Sequence, residues 1–579
     1  MAMQHLTRWF PILATIHSYN RQLLTQDLLA ASIVTVLLIP QSLAYALLAG
    51  LPPEVGLYAS IVPLLVYGLL GSSRTLSVGP VAVISLMSAA TLGKVTASGE
   101  VDYLTAAAVL ALLSGGILIV LGILKLGFLA NFLSHPVISG FITASALLIA
   151  LNQVTQLLGL SVHGDTILEL LPSLFENLGG YNQLALLVGL GVVLFLYLSR
   201  ACAAKLLQRL GITADTANLL SKSAPAVAVL ITVYFSYTFN LEAWGVALVG
   251  SVPSGLPQFS LPKLSVSLFE TLALPALMIA IIGYVESISV AKTLAAKRRQ
   301  RIDSNQELVA LGFANVGAGF SGGFPVSGGF SRSVVNADAG AQTQFASLFA
   351  AIGIGFTALF LTSPLYFLPK ATLAATIIVA VLSLVDFSIL RKTWQFSKAD
   401  FLAVAVTIFV TLLFGVESGV LCGVGASLLL FIWRASKPHI AEVGLIEGTE
   451  HFRNIDRHPV KTASEILTFR VDGRLMFSNI STLEERIYTR LAGNSKVKNI
   501  ILMCSAVNEI DWSALEVLES INSILLNRGV RLHLSEVKGP VMDRLERSSF
   551  LQVLSGQVFL TQYQAFSSVS IVNDSAEST

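Results

Sequence analysis

Charge is the first scarcity in this chain. Asp, Glu, Lys and Arg make up 12% of its 579 residues, against roughly 25% in a soluble domain, while 54% of the residues are hydrophobic. That balance excludes a water-soluble fold for most of the polypeptide. The formal net charge of +2 supplies no basic face for nucleic acid. Cysteine is scarce too. Cys202, Cys422 and Cys504 lie too far apart for a metal or redox motif, so each reads as a packing residue, and neither cofactor nor metal is expected. No Gly-x-x-x-x-Gly-Lys-Ser/Thr run occurs, which removes ATP as an energy source. No nucleophile–base pair stands out, so an enzyme is not expected.

What the chain has in abundance is long apolar runs separated by short polar breaks, the pattern of an α-helical polytopic membrane protein. The pattern changes near Lys437-Pro438, where charged residues become frequent. The expected organisation is a cytoplasmic N-terminal segment over 1–26, a transmembrane domain over 27–436 and a soluble domain over 437–568. A polar tail over 569–579 is expected to be disordered. The segment before Asp27 carries Arg8, Arg21 and two His, and shows no cleavable signal.

About fourteen segments have the spacing of spans. They are Leu28–Leu48, Val55–Leu70, Val78–Leu92, Leu104–Leu124, Pro136–Leu157, Leu184–Leu198 and Ala224–Phe239 in a first half of about 27–240. Leu268–Lys292, Gln306–Phe320, Phe330–Ala341, Gln344–Leu361, Tyr366–Leu384, Phe401–Phe414 and Gly419–Trp433 complete a second half of about 265–436. In each half the third segment is short, rich in Gly, Pro and Ser, and preceded by a break. Paired interruptions at matching positions point to a transporter site at the membrane midplane. Seven is odd, so the second half enters the membrane inverted relative to the first.

Basic residues give the orientation. With the N-terminus in the cytoplasm, the loops after even-numbered spans hold Arg74, Lys125, Arg200, Lys205, Arg209, Lys222, Lys297–Arg301, Arg391, Lys392, Lys398, Arg434 and Lys437. The opposite loops hold little beyond Lys94, Lys263 and Lys370. Both termini are therefore expected in the cytoplasm, with the protein in the cell inner (plasma) membrane. The cluster from Lys297 to Arg301 reads as a topology determinant, with anionic-lipid binding as the alternative.

The stretch from Gly322 to Ala341 carries Ser327, Ser331, Arg332, Ser333 and Asn336 inside this apolar setting. Gly and Pro break any helix before Phe330, so a short helix is expected to start there with free N–H groups, a form in which transporters hold anions. Arg332 reads either as a positive charge beside a bound anion or as a structural Arg paired with a carbonyl or an acid. Glu286 lies inside the eighth segment. It reads as a proton carrier, since protonation removes a negative charge beside an incoming dianion, or as one half of a salt bridge to Arg332 or Lys292.

The soluble part alternates strand-like and helical patterns and reads as a small α/β unit. Strands are expected at Glu465–Val471, Leu475–Phe477, Val497–Met503 and Val530–Leu534, with helices at Leu483–Leu491, Trp512–Leu526 and Pro540–Ser548. Two motifs are set aside. Gly317-x-Gly319-x-x-Gly322 comes after an apolar run rather than a strand, so it reads as close helix packing instead of a dinucleotide site. Asn479-Ile480-Ser481 lies on the cytoplasmic side, where no glycosylation occurs.

Several long runs resemble the sulfate permease (SulP) family, known in animals as solute carrier family 26. They include Pro40-Gln41-Ser42-Leu43-Ala44-Tyr45-Ala46, Gly71-Ser72-Ser73-Arg74 with Ser77-Val78-Gly79-Pro80, and His135-Pro136-Val137-Ile138-Ser139-Gly140-Phe141. The stretch from Gly322 also matches, as does Asn508-Glu509-Ile510-Asp511-Trp512-Ser513-Ala514, which resembles the STAS domain that closes such proteins. The resemblance covers nearly the whole chain. It implies a seven-plus-seven inverted repeat divided into core and gate domains, then a cytoplasmic α/β STAS domain, often in a homodimer.

Carried over residue by residue, the resemblance places an anion between the third and tenth helices. Gln41, Tyr45, Val81, Phe330, Ser331 and Arg332 would form the site, with Val81 less bulky than the aromatic of many relatives. It places Glu286 where plant-type sulfate transporters have an acid linked to proton coupling. It makes Ser513 a possible phosphosite, against the plainer reading of a helix cap. The activity implied is proton-coupled sulfate uptake by alternating access, with sulfate, protons and membrane lipids as partners and a possible regulatory protein at the STAS domain. The alternatives are a sodium-coupled bicarbonate or proton-coupled dicarboxylate transporter on the same fold, or an anion-sensing scaffold.

Overall fold

The computed structural model describes residues 9–16, 19–96, 101–128, 134–160, 162, 164, 166–209, 211, 217, 221, 223–262 and 265–576. The first eight residues of the N-terminal segment, Lys222, Lys263 and tail residues 577–579 lie outside the described residues. The chain separates into two compact units, Met1–Leu428 and Leu429–Thr579.

The third expected segment opens as a strand at Val78–Gly79 and turns helical only at Ala82, and each of the fourteen contains a helix. In the first half these are α1 (Arg21–Leu48), α2 (Pro53–Leu70), α3 (Ala82–Thr96), α4 (Tyr103–Ile123), α5 (His135–Leu157), α6 (Gln183–Leu198) and α7 (Ala224–Phe239). In the second half they are α8 (Val266–Lys297), α9 (Ser304–Phe320), α10 (Phe330–Asp338), α11 (Phe345–Phe360), α12 (Lys370–Leu382), α13 (Lys398–Phe414) and α14 (Val416–Ser436). Among the described residues, seven helices are long and apolar enough to cross a membrane, and α3, α7, α11 and α12 are shorter apolar helices.

Polar caps, invisible to a hydropathy pattern, set several true starts. Helix α1 begins six residues before Asp27 because the Asn20 side chain accepts from the Leu23 N–H, so the segment over 1–26 is not free of the first helix. Asp303 caps α9 in the same way, through the N–H groups of Asn305 and Gln306. Two amphipathic helices, Ile167–Asn177 and Ser388–Phe396, occupy stretches to which no element was assigned from sequence.

The helices pack in two groups. Helices α1–α4 associate with α8–α11, and α5–α7 with α12 and α13. Small residues permit a close approach between α4 and α9. A Cβ on Gly312 would stand 2.8 Å from the Gly115 carbonyl, and one on Gly319 would stand 2.8 Å from the Ala108 carbonyl. The glycine run read as helix packing therefore has that role at Gly319.

Two short strands lie in the helical unit, β1 (Val78–Gly79) and β2 (Ser327–Gly328). The strands of the C-terminal unit are β3 (His439–Leu445), β4 (Phe452–Asn454), β5 (Ile466–Asp472), β6 (Asn499–Met503), β7 (Arg531–Ser535) and β8 (Val558–Phe559). They form a six-stranded sheet in the order β4-β3-β5-β6-β7-β8. Strands β5 to β8 run parallel, and β3 is antiparallel to both β4 and β5. Helices α15 (Ile480–Ala492), α16 (Trp512–Asn527) and α17 (Gly539–Glu546) connect the parallel strands. Two expectations are corrected. Leu475–Phe477 is no strand, since only Leu475 bridges, to Ile510. The tail is helical as part of Gln562–Ala576, where Phe566 and Val569 are buried against the sheet residues Phe452 and Ile501.

His533 on β7 gives this unit an acid-sensitive point. Its Nδ1 accepts from the Gln557 N–H at 3.1 Å, so its Nε2–H donates to Asn499 Oδ1 at 3.2 Å. Burial, with Arg531 adding to it, holds the imidazole at about 4, below its usual 6.5. Between those values the unfolded chain binds the extra proton, so stability declines as pH falls through that window. The urea midpoint of the C-terminal unit should drop across it, and His533→Gln should flatten part of that drop.

Candidate functional site

The two interrupted segments meet. Strand β1, between α2 and α3, pairs antiparallel with β2, between α9 and α10. Val78 faces Gly328 and Gly79 faces Ser327. Antiparallel pairing sends the two outgoing helices away in opposite directions, so the N-termini of α3 and α10 stay close to the pair. Helix α10 begins after Gly329, which offers no side-chain cap. Its first-turn N–H groups form a ready anion site.

Side chains from neighbouring helices hold the pair in place. The Asn315 amide exchanges two hydrogen bonds with the Val326 backbone, at 2.9 and 3.0 Å. Ser287 Oγ accepts from the Gly328 N–H at 2.8 Å and donates to the Gly283 carbonyl at 2.6 Å. Across the pair, the Ser333 hydroxyl accepts from the Ser77 N–H at 3.0 Å, and the Asn336 amide donates to the Thr75 carbonyl at 3.0 Å.

Arg332 is 2% exposed and binds main chain from both halves. Its Nε donates to the Ser77 carbonyl at 3.1 Å, and its Nη2 donates to the Gly79 and Ser327 carbonyls at 2.7 and 3.0 Å. Nη1 has no partner. The guanidinium is tightly enclosed, since a Cβ on Gly329 would lie 2.6 Å from Nε and one on Gly79 would lie 3.0 Å from Nη1. Both glycines are therefore constrained by that side chain.

A cavity of about 750 Å³ opens beside the pair. Gln41 and Tyr45 of α1 line it, as do Phe330 and Ser331 at the start of α10. Val81 and Arg332 are not among its lining residues. Val81 is 5% exposed and belongs to the main apolar core. Four of the six residues expected at an anion site thus share one cavity, and the other two sit behind its wall.

Glu286 is partly buried on α8, one residue from Ser287. Its Oε2 has no hydrogen-bond partner. It interacts electrostatically with Arg332, as Tyr45 does with both. No ion pair joins Glu286 to Arg332 or Lys292 among the described residues. Ser77, Ser85 and Ser88 near the pair also carry buried hydroxyls with no partner, and Asn336 Oδ1 has none either. Orphaned polar atoms gathered at one place mark a site that a ligand, ion or water completes.

Two further carboxylates anchor the site's approaches and were missed from sequence. Glu307 is fully buried and accepts from the Tyr67 hydroxyl at 2.7 Å, the Ser72 hydroxyl at 2.7 Å and the N–H groups of Ser72 and Ser73 at 2.8 and 3.1 Å. It fixes the turn that leads into β1. Asp27, also fully buried, accepts from the N–H groups of Gln342 and Thr343 at 2.8 and 3.2 Å, just after α10. The signal was an acid within or at the edge of an apolar run. Of the basic cluster, Arg298 donates to the Ala337 carbonyl at 2.5 Å and to the Ala341 carbonyl, so it caps α10. Ser513 is exposed in the first turn of α16, where Asp511 already accepts from the N–H groups of Ala514 and Phe477, each at 2.8 Å.

A helical unit built around two paired, interrupted segments, joined to an α/β unit, is the architecture of a secondary anion transporter with a STAS domain. The chain belongs to the sulfate permease family, whose model matches residues 24–407, and a STAS domain matches residues 458–565. It is 35% identical over 566 residues to the chloroplastic sulfate transporter 4.1 of Arabidopsis thaliana, covering 96% of this chain and 81% of that one. It is 33% identical to a probable sulfate transporter of Mycobacterium tuberculosis, with 96% of each chain covered. Among solved structures, the murine solute carrier 26 family member A9 anion transporter in its inward-facing state superposes with a TM-score of 0.88 at 25% identity, covering 96% and 93% of the two chains.

Proposed function

We propose that this transporter carries sulfate into the cell with protons, by alternating access, as a seven-plus-seven inverted repeat in the inner membrane. The observation that carries the reading is the antiparallel pair β1–β2, which sets the uncapped start of α10 against a cavity lined by Gln41, Tyr45, Phe330 and Ser331. In this reading the anion sits at the inner end of the cavity. The first-turn N–H groups of α10 and the Ser331 hydroxyl donate to it, and Gln41 and Tyr45 complete its shell. Arg332 acts from behind the wall. Its charge favours the anion, while its hydrogen bonds hold the carbonyls of the pair turned away from it. Val81 shapes the back of the site without touching solvent.

Glu286 is the proton carrier in this reading. Its unpartnered Oε2 and its electrostatic link to Arg332 support the assignment, because a proton gained or lost there changes the field at the site. Helices α1–α4 and α8–α11 form the moving core, and the other group forms the gate. The far end of the cavity is lined by the end of α6 and the start of α7, beside basic residues that the charge bias puts in the cytoplasm. The conformation is thus read as inward-open, as in the murine relative. Dimerisation and phosphorylation at Ser513 belong to the same family reading.

Labelled sulfate should accumulate in proteoliposomes when an inward proton gradient is imposed, and only equilibrate without one. Accumulation driven by sodium alone, or uptake competed by bicarbonate or succinate but not by selenate, would overturn the reading.

A further inference from the structure

The cavity has a second end that the proposed anion site does not use. There Leu196 comes from the end of α6 and Arg200 from the turn after it, while Ser221 precedes α7 and Ala224 and Pro225 open it. Among the described residues that line the cavity, Arg200 is the one cation and Asp338 the one carboxylate. The two are not equivalent. Asp338 lies in the field of Arg298, whose guanidinium caps α10 at the Ala337 and Ala341 carbonyls. Arg200 is exposed and makes no hydrogen bond or ion pair with any described residue. Among the described lining residues, Arg200 therefore offers a positive charge with no partner, of the sign that an anion needs.

Local geometry sets Arg200 apart from the basic residues after it. It sits in a π turn, Ser199–Ala203, between α6 and the short helix Ala204–Arg209. Such a turn adds a residue to the helix and rotates the next turns about the axis. Lys205 and Arg209 lie beyond that turn and do not line the cavity, whereas Arg200 does.

We propose that Arg200 draws sulfate into the cavity from the cytoplasmic face and sets the transporter's affinity on that face alone. The proposal rests on the sulfate-transport reading and its orientation. A unit charge about 10 Å from a dianion in water changes its local concentration about fourfold, and more where apolar walls displace water. In a transporter that imports, such a residue tunes release, exchange and inhibition by internal sulfate rather than capture from outside.

Initial uptake of labelled sulfate into inside-out vesicles reads the cytoplasmic face, and uptake into right-side-out vesicles reads the external one. Arg200→Gln should raise the cytoplasmic-face KM about threefold to tenfold at low salt, leave the external-face KM within about twofold, and converge on wild type in high salt. Arg200→Lys should retain the low KM. Equal shifts on both faces, a shift on the external face only, or no shift would overturn the proposal. If wild-type vesicles carry no sulfate, the transport reading fails separately. Equilibrium binding of labelled sulfate to the detergent-solubilised protein then decides for Arg200, since unchanged affinity in Arg200→Gln would sink it.

Discussion

Sulfate uptake by a Glu286→Gln protein should no longer respond to an imposed pH gradient. In a symporter that couples one proton, a gradient of two pH units drives about a hundredfold accumulation. The variant should reach only equal concentrations on the two sides. It should still exchange internal for external sulfate, because Gln keeps the shape of the side chain and the anion contacts lie elsewhere. The structural ground is that Glu286 has neither the Arg332 nor the Lys292 partner that would make it a static ion pair, and its Oε2 is buried without any partner. A Glu286→Gln protein that still concentrates sulfate when the outside is acidified would remove the carrier from this position. Loss of exchange together with accumulation would point to a damaged site rather than to lost coupling.

Arg332→Ala should lower kcat/KM for sulfate by about a hundredfold or more, well beyond any fall in membrane-inserted protein. The substitution strips charge-assisted donors from the Gly79 and Ser327 carbonyls, each at a cost of about 1–3 kcal/mol, and weakens the bonding of the Ser77 carbonyl. Ser77 O keeps one donor, the Gly329 N–H at 3.1 Å, so the pair loosens without coming apart. Arg332→Lys separates the two ways in which the residue acts. An ammonium keeps the charge but cannot reach three carbonyls in the fork geometry of a guanidinium. If the field of Arg332 dominates, Lys restores KM. If the clamp dominates, Lys restores KM little and kcat stays low. The enclosed geometry favours the clamp, and wild-type transport by Arg332→Ala at low sulfate would defeat both accounts.

Much of the architecture was legible in the residues alone. Fourteen helices could be placed from apolar runs because a span must satisfy its backbone internally and bury or immerse its side chains in hydrocarbon, which fixes both composition and length. The paired interruptions announced themselves through Gly and Pro, whose backbone effects are local. Gln41, Tyr45, Phe330 and Ser331 could be placed together because the family's motifs carry them. The α/β nature of the C-terminal unit was readable from alternating periods, although β3, β4 and β8 were not. Those strands are short or mixed in polarity, and pairing stabilises them: β3 with β5, β4 with β3 and β8 with β7.

The sequence alone determined that this chain is a helical membrane protein with a polar break in each half, since those are properties of composition and local backbone, while its motifs carried the family resemblance. Only the tertiary structure decided what Arg332 does. The residue type announced a costly charge in an apolar segment, but its three acceptors include the carbonyls of Ser77 and Gly79, some 250 positions earlier in the chain. The same holds for Glu307 and the turn at Ser72–Ser73, and for Arg200 as a cation on the cavity wall. Hydrogen bonds and cavities join residues by proximity, and proximity between distant segments is created by packing rather than by any local pattern.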